Sequence, residues 1–258
     1  MQKFWVCLLF FAALTAGAEE QPRVRIAREN APAIVAINVL KEDGSTFTGT
    51  GFVLTPDGLI ATSRHVTADA AYANVTFSNG AVSGEAKTLA QASNVDLALL
   101  KIEAKNLPTV TVTTSADVRP GQEITVIGNP RRLQNTVSSG LISQVRKKAN
   151  GTLWHQISAP ISPSSSGSPV FDQDGKVISV AFASYPGENN QNLNFAVPSD
   201  YLLNLIHAAG FELPDETVGQ PKSPQTEHPF ITHVKKSWEM LKRLFNRSRS
   251  KDLSGSRA

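Results

Sequence analysis

Cysteine is all but missing: the 258-residue chain has one, Cys7. Any chain that loses its first residues therefore has no disulfide, no cysteine nucleophile and no thiolate metal site. Long apolar runs are missing too. After the N-terminus nothing is long enough to span a bilayer. The N-terminus itself is different. Lys3 precedes an apolar stretch from Phe4 to Leu14, and Ala16-Gly17-Ala18 is a small-residue cleavage pattern. Residues 1–18 read as a secretory signal peptide, with Glu19 opening the mature chain. An exported chain without disulfides fits a bacterial envelope, periplasmic or secreted, better than a eukaryotic secretory route.

Charge is unevenly placed. The formal net charge is +3, yet residues 219–258 hold nine Lys and Arg against Glu227, Glu239 and Asp252, a net +6. Residues 19–218 carry a net −4. The basic balance belongs to the tail, so no nucleic-acid partner is expected for the body.

The body reads as all-β. Ala33 to Leu40, Thr48 to Leu54, Leu59 to Thr62, Ala73 to Phe77 and Val95 to Ile102 are short β-prone segments. Turns at Asp43-Gly44, Pro56-Asp57-Gly58 and Ser78-Asn79-Gly80 separate them. Thr67 to Ala71 reads as a short helical turn carrying Asp69 on its solvated side. The second half repeats the style with Glu123 to Gly128, Val137 to Val145, Thr152 to Ile157, Lys176 to Ala183 and Leu193 to Pro198. Two clusters of about six strands suggest two similar barrels. A helix follows to about Ala209, with Ser199 as the expected N-cap and Gly210 as C′.

Three positions stand out chemically. His65 sits between a strand and a turn, Asp96 opens an apolar strand, and Ser166 lies in the turn Ser162-Pro163-Ser164-Ser165-Ser166-Gly167-Ser168. A serine hydroxyl becomes a nucleophile only when a base takes its proton and a third group orients the base. Taken singly, each residue is as compatible with an ordinary surface role. His155 and His207 read as packing or capping residues, and His228 and His233 belong to the tail.

Taken together, the segments resemble a family. Gly49-Thr50-Gly51-Phe52-Val53-Leu54, Thr62-Ser63-Arg64-His65-Val66 and Asn94-Val95-Asp96-Leu97-Ala98-Leu99 come first. Val126-Ile127-Gly128-Asn129-Pro130, Ser139-Gly140-Leu141-Ile142-Ser143, Ser166-Gly167-Ser168-Pro169-Val170 and Asn194-Phe195-Ala196-Val197-Pro198-Ser199 follow in order. They resemble trypsin-like serine proteases, in particular the bacterial Deg/HtrA branch, over roughly residues 30–208. The resemblance implies two chymotrypsin-like six-stranded β-barrels with a C-terminal helix, spanning 19–210, and a site in the cleft between them. It implies an exported serine endopeptidase with polypeptide substrates, and neither metal nor organic cofactor. Ser166 would be the nucleophile, His65 the base and Asp96 its orienting acid, with the N–H groups of Ser164 and Ser166 as oxyanion hole. A glycine must follow the nucleophile, so Gly167 selects Ser166 over its serine neighbours.

Two positions depart from the family pattern, which has glycine where Ser164 and Ser168 stand. A side chain at 164 resists a left-handed backbone. That departure keeps an alternative open, a degenerate protease that binds polypeptide or an envelope partner without cutting it. Ser168 is expected to be tolerated beside the cleft. No acid lies just upstream of Ser166, so cleavage after Lys or Arg is not expected. Pro160, Ile161, Phe182, Phe195 and Val197 are the expected lining, suited to a small or medium apolar side chain.

Past Gly210, 48 residues remain, too few for the PDZ domain that usually follows in the Deg branch. Pro214, Pro221, Pro224 and Pro229 mark residues 211–229 as an extended linker. In 230–258, Phe230, Ile231, Val234, Trp238, Leu241, Leu244 and Phe245 share one helical face, opposite Lys235, Lys236, Lys242 and Arg243. This basic amphipathic helix suits a peripheral membrane contact through 230–246, or docking on the body or on a neighbouring subunit. Ser248 to Ala258 is expected to be disordered.

Overall fold

The computed structural model describes residues 20–129, 135–184 and 193–213. The signal segment and the tail from residue 214 onward lie outside them. A nine-residue helix, α1 (Pro22–Asn30), comes first, then a 3-10 turn, Ala31–Ala33. The first strands are β1 (Ile34–Lys41), β2 (Thr46–Val53), β3 (Leu59–Thr62), β4 (Ala70–Thr76), β5 (Val82–Glu85), β6 (Lys87–Gln91) and β7 (Ala98–Lys101). The second group is β8 (Thr111–Val112), β9 (Glu123–Gly128), β10 (Thr136–Lys147), β11 (Leu153–Ile157), β12 (Pro169–Phe171), β13 (Lys176–Ser184) and β14 (Asn194–Pro198). The last element is α2 (Ser199–Ala208).

Each sheet counts seven strands, in the orders β5-β4-β1-β2-β3-β7-β6 and β12-β9-β10-β11-β14-β13-β8. Both nevertheless close as six-stranded barrels. In the first, β5 and β6 are one chain run turning a corner at Ala86, whose N–H still bonds Ala73 O at 2.8 Å. That run pairs with β4 at its start and β7 at its end. In the second, β12 pairs with both β9 and β13, and β8 is only a two-residue parallel addition to β13. Closure pairs most strand edges, leaving β13 uncovered by β12 beyond Ala181.

The larger apolar core fills the first barrel and runs on through Ile127, Phe171, Val177, Val180 and Val197. Leu202, Leu205 and Ile206 of α2 belong to it, at the spacing that gives a helix one apolar face. A smaller cluster around Ile124, Ile142, Ile157 and Val170 fills the second barrel. The two barrels are thus joined by packed side chains, and residues from both are held in one frame.

Local expectations fail in three places. Residues 67–71 form no helix. The 3-10 turn lies earlier, at Arg64–Val66, Asp69 takes a left-handed φ of 56°, and β4 starts at Ala70. Ser199 does not cap α2. The N-cap is Pro198, and the Ser199 hydroxyl donates instead to Thr113 O at 2.5 Å. Helix α1 was not anticipated. It starts on Pro22, which suits a first helical turn, and buries Ile26 in the main core. Gly210 does take the expected left-handed φ, 81°, and its N–H bonds His207 O at 2.9 Å.

Candidate active site

Asp96 holds His65 at two points. Asp96 Oδ1 accepts the His65 backbone N–H at 2.9 Å, and Oδ2 lies 2.6 Å from Nδ1. A carboxylate accepts, so Nδ1 carries the proton and Nε2 presents its lone pair. The pair is built by local structure. The 3-10 turn Arg64–Val66 presents the His65 N–H, and Arg64 Nη1 donates to Ala92 O at 2.8 Å, tying this turn to the loop before Asp96. The His65 side chain is 41% exposed and that of Asp96 18%, so the carboxylate is sheltered while the imidazole stays accessible. The Phe47 ring stands edge-on to the imidazole at 6.2 Å.

Ser166 comes from the second barrel and is half-buried. Its carbonyl accepts the Thr50 N–H at 2.9 Å, a bond between barrels. The following residue, Gly167, has φ 90°, and a Cβ there would overlap Thr50 O and the Thr62 hydroxyl and lie 3.1 Å from Ser63 N. Ser63 is two residues before His65, so the nucleophile turn packs directly against the histidine segment. Only a glycine tolerates both that φ and that approach. The Ser166 hydroxyl donates to Phe182 O at 3.2 Å, and no hydrogen bond joins it to His65. Catalytic hydrogen bonds of this type often tighten only once substrate is bound.

Ser164 does adopt the backbone that its side chain resists, φ 74°. The Ser165 N–H bonds Ser162 O at 3.0 Å. With Pro163 and then a positive φ in the middle, this is a type II turn. Neither the Ser164 nor the Ser166 N–H has an acceptor among the described residues, as an oxyanion hole requires. The strained residue is tied down by Thr50, which is fully buried. Thr50 Oγ1 donates to Ser164 O at 2.8 Å and accepts the Asn129 N–H at 3.0 Å. Sequence reasoning missed Thr50. Its signal was a hydroxyl set between two glycines, Gly49 and Gly51, just before the apolar end of the strand.

The five expected lining residues separate. Pro160 is exposed, and Ile161 and Phe182 are half-buried. Phe195 is 7% exposed and packs on Trp154 at 5.6 Å between ring centroids. Val197 is wholly buried in the core with α2, so its side chain offers no surface to a ligand. Ser168 is not beside the cleft either. It is fully buried against Gly128, where a Cβ would overlap its hydroxyl, and that hydroxyl has no partner among the described residues. Trp154, also missed, meets the Phe182 ring edge-on at 4.9 Å.

His155 lies away from the site, inside the second barrel. Burial pushes it down to about 4, against a smaller opposing effect of the Asp200 carboxylate. The Ser179 hydroxyl donates to Ile178 O at 2.6 Å, so it must accept from His155 Nδ1, 2.5 Å away. This histidine and serine are structural. Among the described residues no group of three or more His, Cys, Asp or Glu side chains is placed to hold a metal ion.

Known proteins resemble this chain in sequence and in fold. Residues 49–180 match the family model described as a trypsin-like peptidase domain. The chain is 34% identical over 196 residues to the mitochondrial serine protease HTRA2 of Bos taurus, covering 70% of this chain and 42% of that protein. It is 33% identical over 165 residues to a probable periplasmic serine endoprotease, DegP-like, of Halomonas elongata, covering 61% of this chain and 34% of that one. The chain therefore spans well under half the length of these relatives. Among solved structures, the HtrA-type protease AlgW with a tripeptide superposes with a TM-score of 0.67 at 28% identity, covering 72% of this chain and 62% of that one.

Proposed function

The chain belongs to the trypsin-like peptidase domain family, with HtrA and Deg proteins among its relatives, and from this premise we propose that it is an exported serine endopeptidase acting through His65, Asp96 and Ser166. The observation that carries the reading is the double hold of Asp96 on His65, which fixes one imidazole tautomer and turns Nε2 outward. Ser166 Oγ leaves Phe182 O and attacks the scissile carbonyl while His65 Nε2 takes its proton. The N–H groups of Ser164 and Ser166 receive the oxyanion. His65 then gives the proton to the leaving amine, and a water, deprotonated by the same nitrogen, releases the acyl group.

Polypeptide substrate is supported by the strand edge beside Ser166. β12 covers β13 only from Val177 to Val180, so among the described residues the chain beyond Ala181 has no strand partner on that side. An extended peptide can add there through main-chain hydrogen bonds. Pro160, Ile161 and Phe182 keep accessible surface near the nucleophile and suit a small or medium apolar side chain at the cleaved bond. Export to the periplasm is supported by the N-terminal segment and by the DegP-like relatives named as periplasmic. A serine-directed fluorophosphonate tests the reading. It should label Ser166 in the full chain, and Ser166→Ala should lose both label and peptide hydrolysis. A folded wild-type protein that takes no label and cuts no peptide would instead be the non-catalytic binding module.

A further inference from the structure

β10 and β11 pair with Gln144 opposite Gln156 and Arg146 opposite Trp154. Side chains alternate along strands, so Gln144, Arg146, Lys148, Trp154 and Gln156 share one face of the second barrel. Their neighbours Val145, His155 and Ile157 point inward, and a bulge between Ile142 and Gln144 turns Ile142 inward as well. Phe195, opposite Gln156 on β14, extends the same outer face. Lys148 Nζ stands 3.3 Å from the centroid of the Trp154 ring, and Arg146 Nε donates to Gln156 Oε1 at 2.7 Å. Both cations are thus held in place by neutral partners. Neither has a carboxylate partner among the described residues, although residues 19–218 are net negative. A surface cavity of about 560 Å³ opens here between Gln144, Arg146, Lys148, Trp154 and Phe195.

This face is linked to the nucleophile through one residue. The Phe182 carbonyl accepts the Ser166 hydroxyl at 3.2 Å, and the Phe182 ring meets Trp154 at 4.9 Å. Phe182 therefore spans from Ser166 to Trp154, a separation of roughly 10–15 Å, which a polypeptide crossing the outer face over β14 covers in about three to five residues at about 3.3 Å per extended residue. We propose that Arg146, Lys148 and Trp154 form a distal substrate subsite for Asp or Glu side chains, three to five residues from the cleaved bond. The inference rests on the protease reading for its place in catalysis. The Trp154 ring offers an apolar floor to the methylenes of an acidic side chain. The ammonium over it and the guanidinium beside it are positioned beforehand, which lowers the ordering cost of binding.

The test uses the full chain and three fluorogenic peptides alike except for an Asp-Asp, Asn-Asn or Lys-Lys pair, placed three to five residues to either side of an apolar cleavage position. On one side, the Asp-Asp peptide should exceed the Asn-Asn peptide in kcat/KM by about three- to tenfold, the range expected of two partly exposed ion pairs. The gain should lie in KM and shrink at about 0.5 M salt. Arg146→Gln with Lys148→Gln should abolish it, and Lys148→Glu should shift preference toward the Lys-Lys peptide. In parallel, the full-chain Ser166→Ala variant is titrated with labelled forms of the same peptides by fluorescence anisotropy, which requires no turnover. No acidic preference in either measurement, or a preference that survives the double substitution, overturns the subsite. Absence of hydrolysis with acidic binding that still depends on Arg146 and Lys148 upholds the subsite and removes the protease reading. A single-stranded oligodeoxynucleotide that binds through these two residues when the acidic peptides do not would give the face to nucleic acid and overturn the proposal.

Discussion

The buried hydroxyl of Thr50 donates to the carbonyl of Ser164 across 2.8 Å, joining a strand of the first barrel to a left-handed residue of the nucleophile turn in the second. A non-glycine residue in that region costs about 1–2 kcal/mol. The Thr50 bond offsets that cost and fixes the 164–165 peptide, which follows the Ser164 N–H directly. Thr50→Val should therefore let the turn relax and lower kcat on a small apolar peptide by about tenfold, the shift that such an energy produces. Thr50→Ser should stay near wild type. Ser164→Gly added to Thr50→Val should regain most of the loss, because glycine needs no such restraint. Initial rates at saturating substrate, with circular dichroism to check folding, decide it. An equal loss in the single and double variants would mean that Thr50 does not act through Ser164.

At Gly167, one residue after Ser166, the second barrel packs directly on the backbone of the first. Gly167→Ala adds a Cβ against the Thr50 carbonyl at a φ of 90°. Strain and overpacking together should cost about 2–5 kcal/mol. The melting temperature should fall by roughly 5–15 °C, at a few degrees per kcal/mol for a domain of this size. Differential scanning calorimetry checks this, and an unchanged transition would show that the barrels can separate at this point without cost.

Asp96→Asn keeps the size of the side chain but can donate to Nδ1, which turns the imidazole to the tautomer with its proton on Nε2. Peptide hydrolysis should fall by about 10⁴ with little change in KM. The imidazole tautomer can be read by nitrogen NMR of labelled histidine. Activity within tenfold of wild type would remove Asp96 from the orienting role.

Stability toward acid should depend on His155. Its folded value of about 4 lies below the ordinary 6.5. Above pH 6.5 both folded and unfolded chains hold it neutral, and nothing is lost. As pH falls below 6.5 the unfolded chain binds the proton and the folded one does not, so stability drops. The loss should be about 2 kcal/mol by pH 5 and about 3 kcal/mol by pH 4. Urea unfolding at pH 8, 6.5 and 5 measures the slope, and His155→Gln should flatten it between 6.5 and 5. A wild-type slope equal to that of the variant would place the acid sensitivity elsewhere.

Much of the fold was legible along the chain, because strands and turns are written in local terms. Alternating apolar residues with Gly, Pro and Asn punctuation placed most strands of both barrels but not the more exposed β5–β6 run, and Gly210 ended α2 as a left-handed residue should. The segments around His65, Asp96 and Ser166 could be picked out by residue type and order, and the backbone tension at Ser164 followed from the family resemblance, which sets a glycine at that position. Other features depend on residues far apart in sequence, and only the folded chain decided them. The Thr50 hydroxyl meets a carbonyl 114 positions later. Trp154 reaches Phe182 only because β11, β14 and β13 lie side by side. Val197 was expected at a surface and lies in the core, since α2 folds back over the end of β14. Local chemistry decides what each segment becomes. Which faces meet is set by strand pairing and by burial against segments that no short stretch of sequence contains.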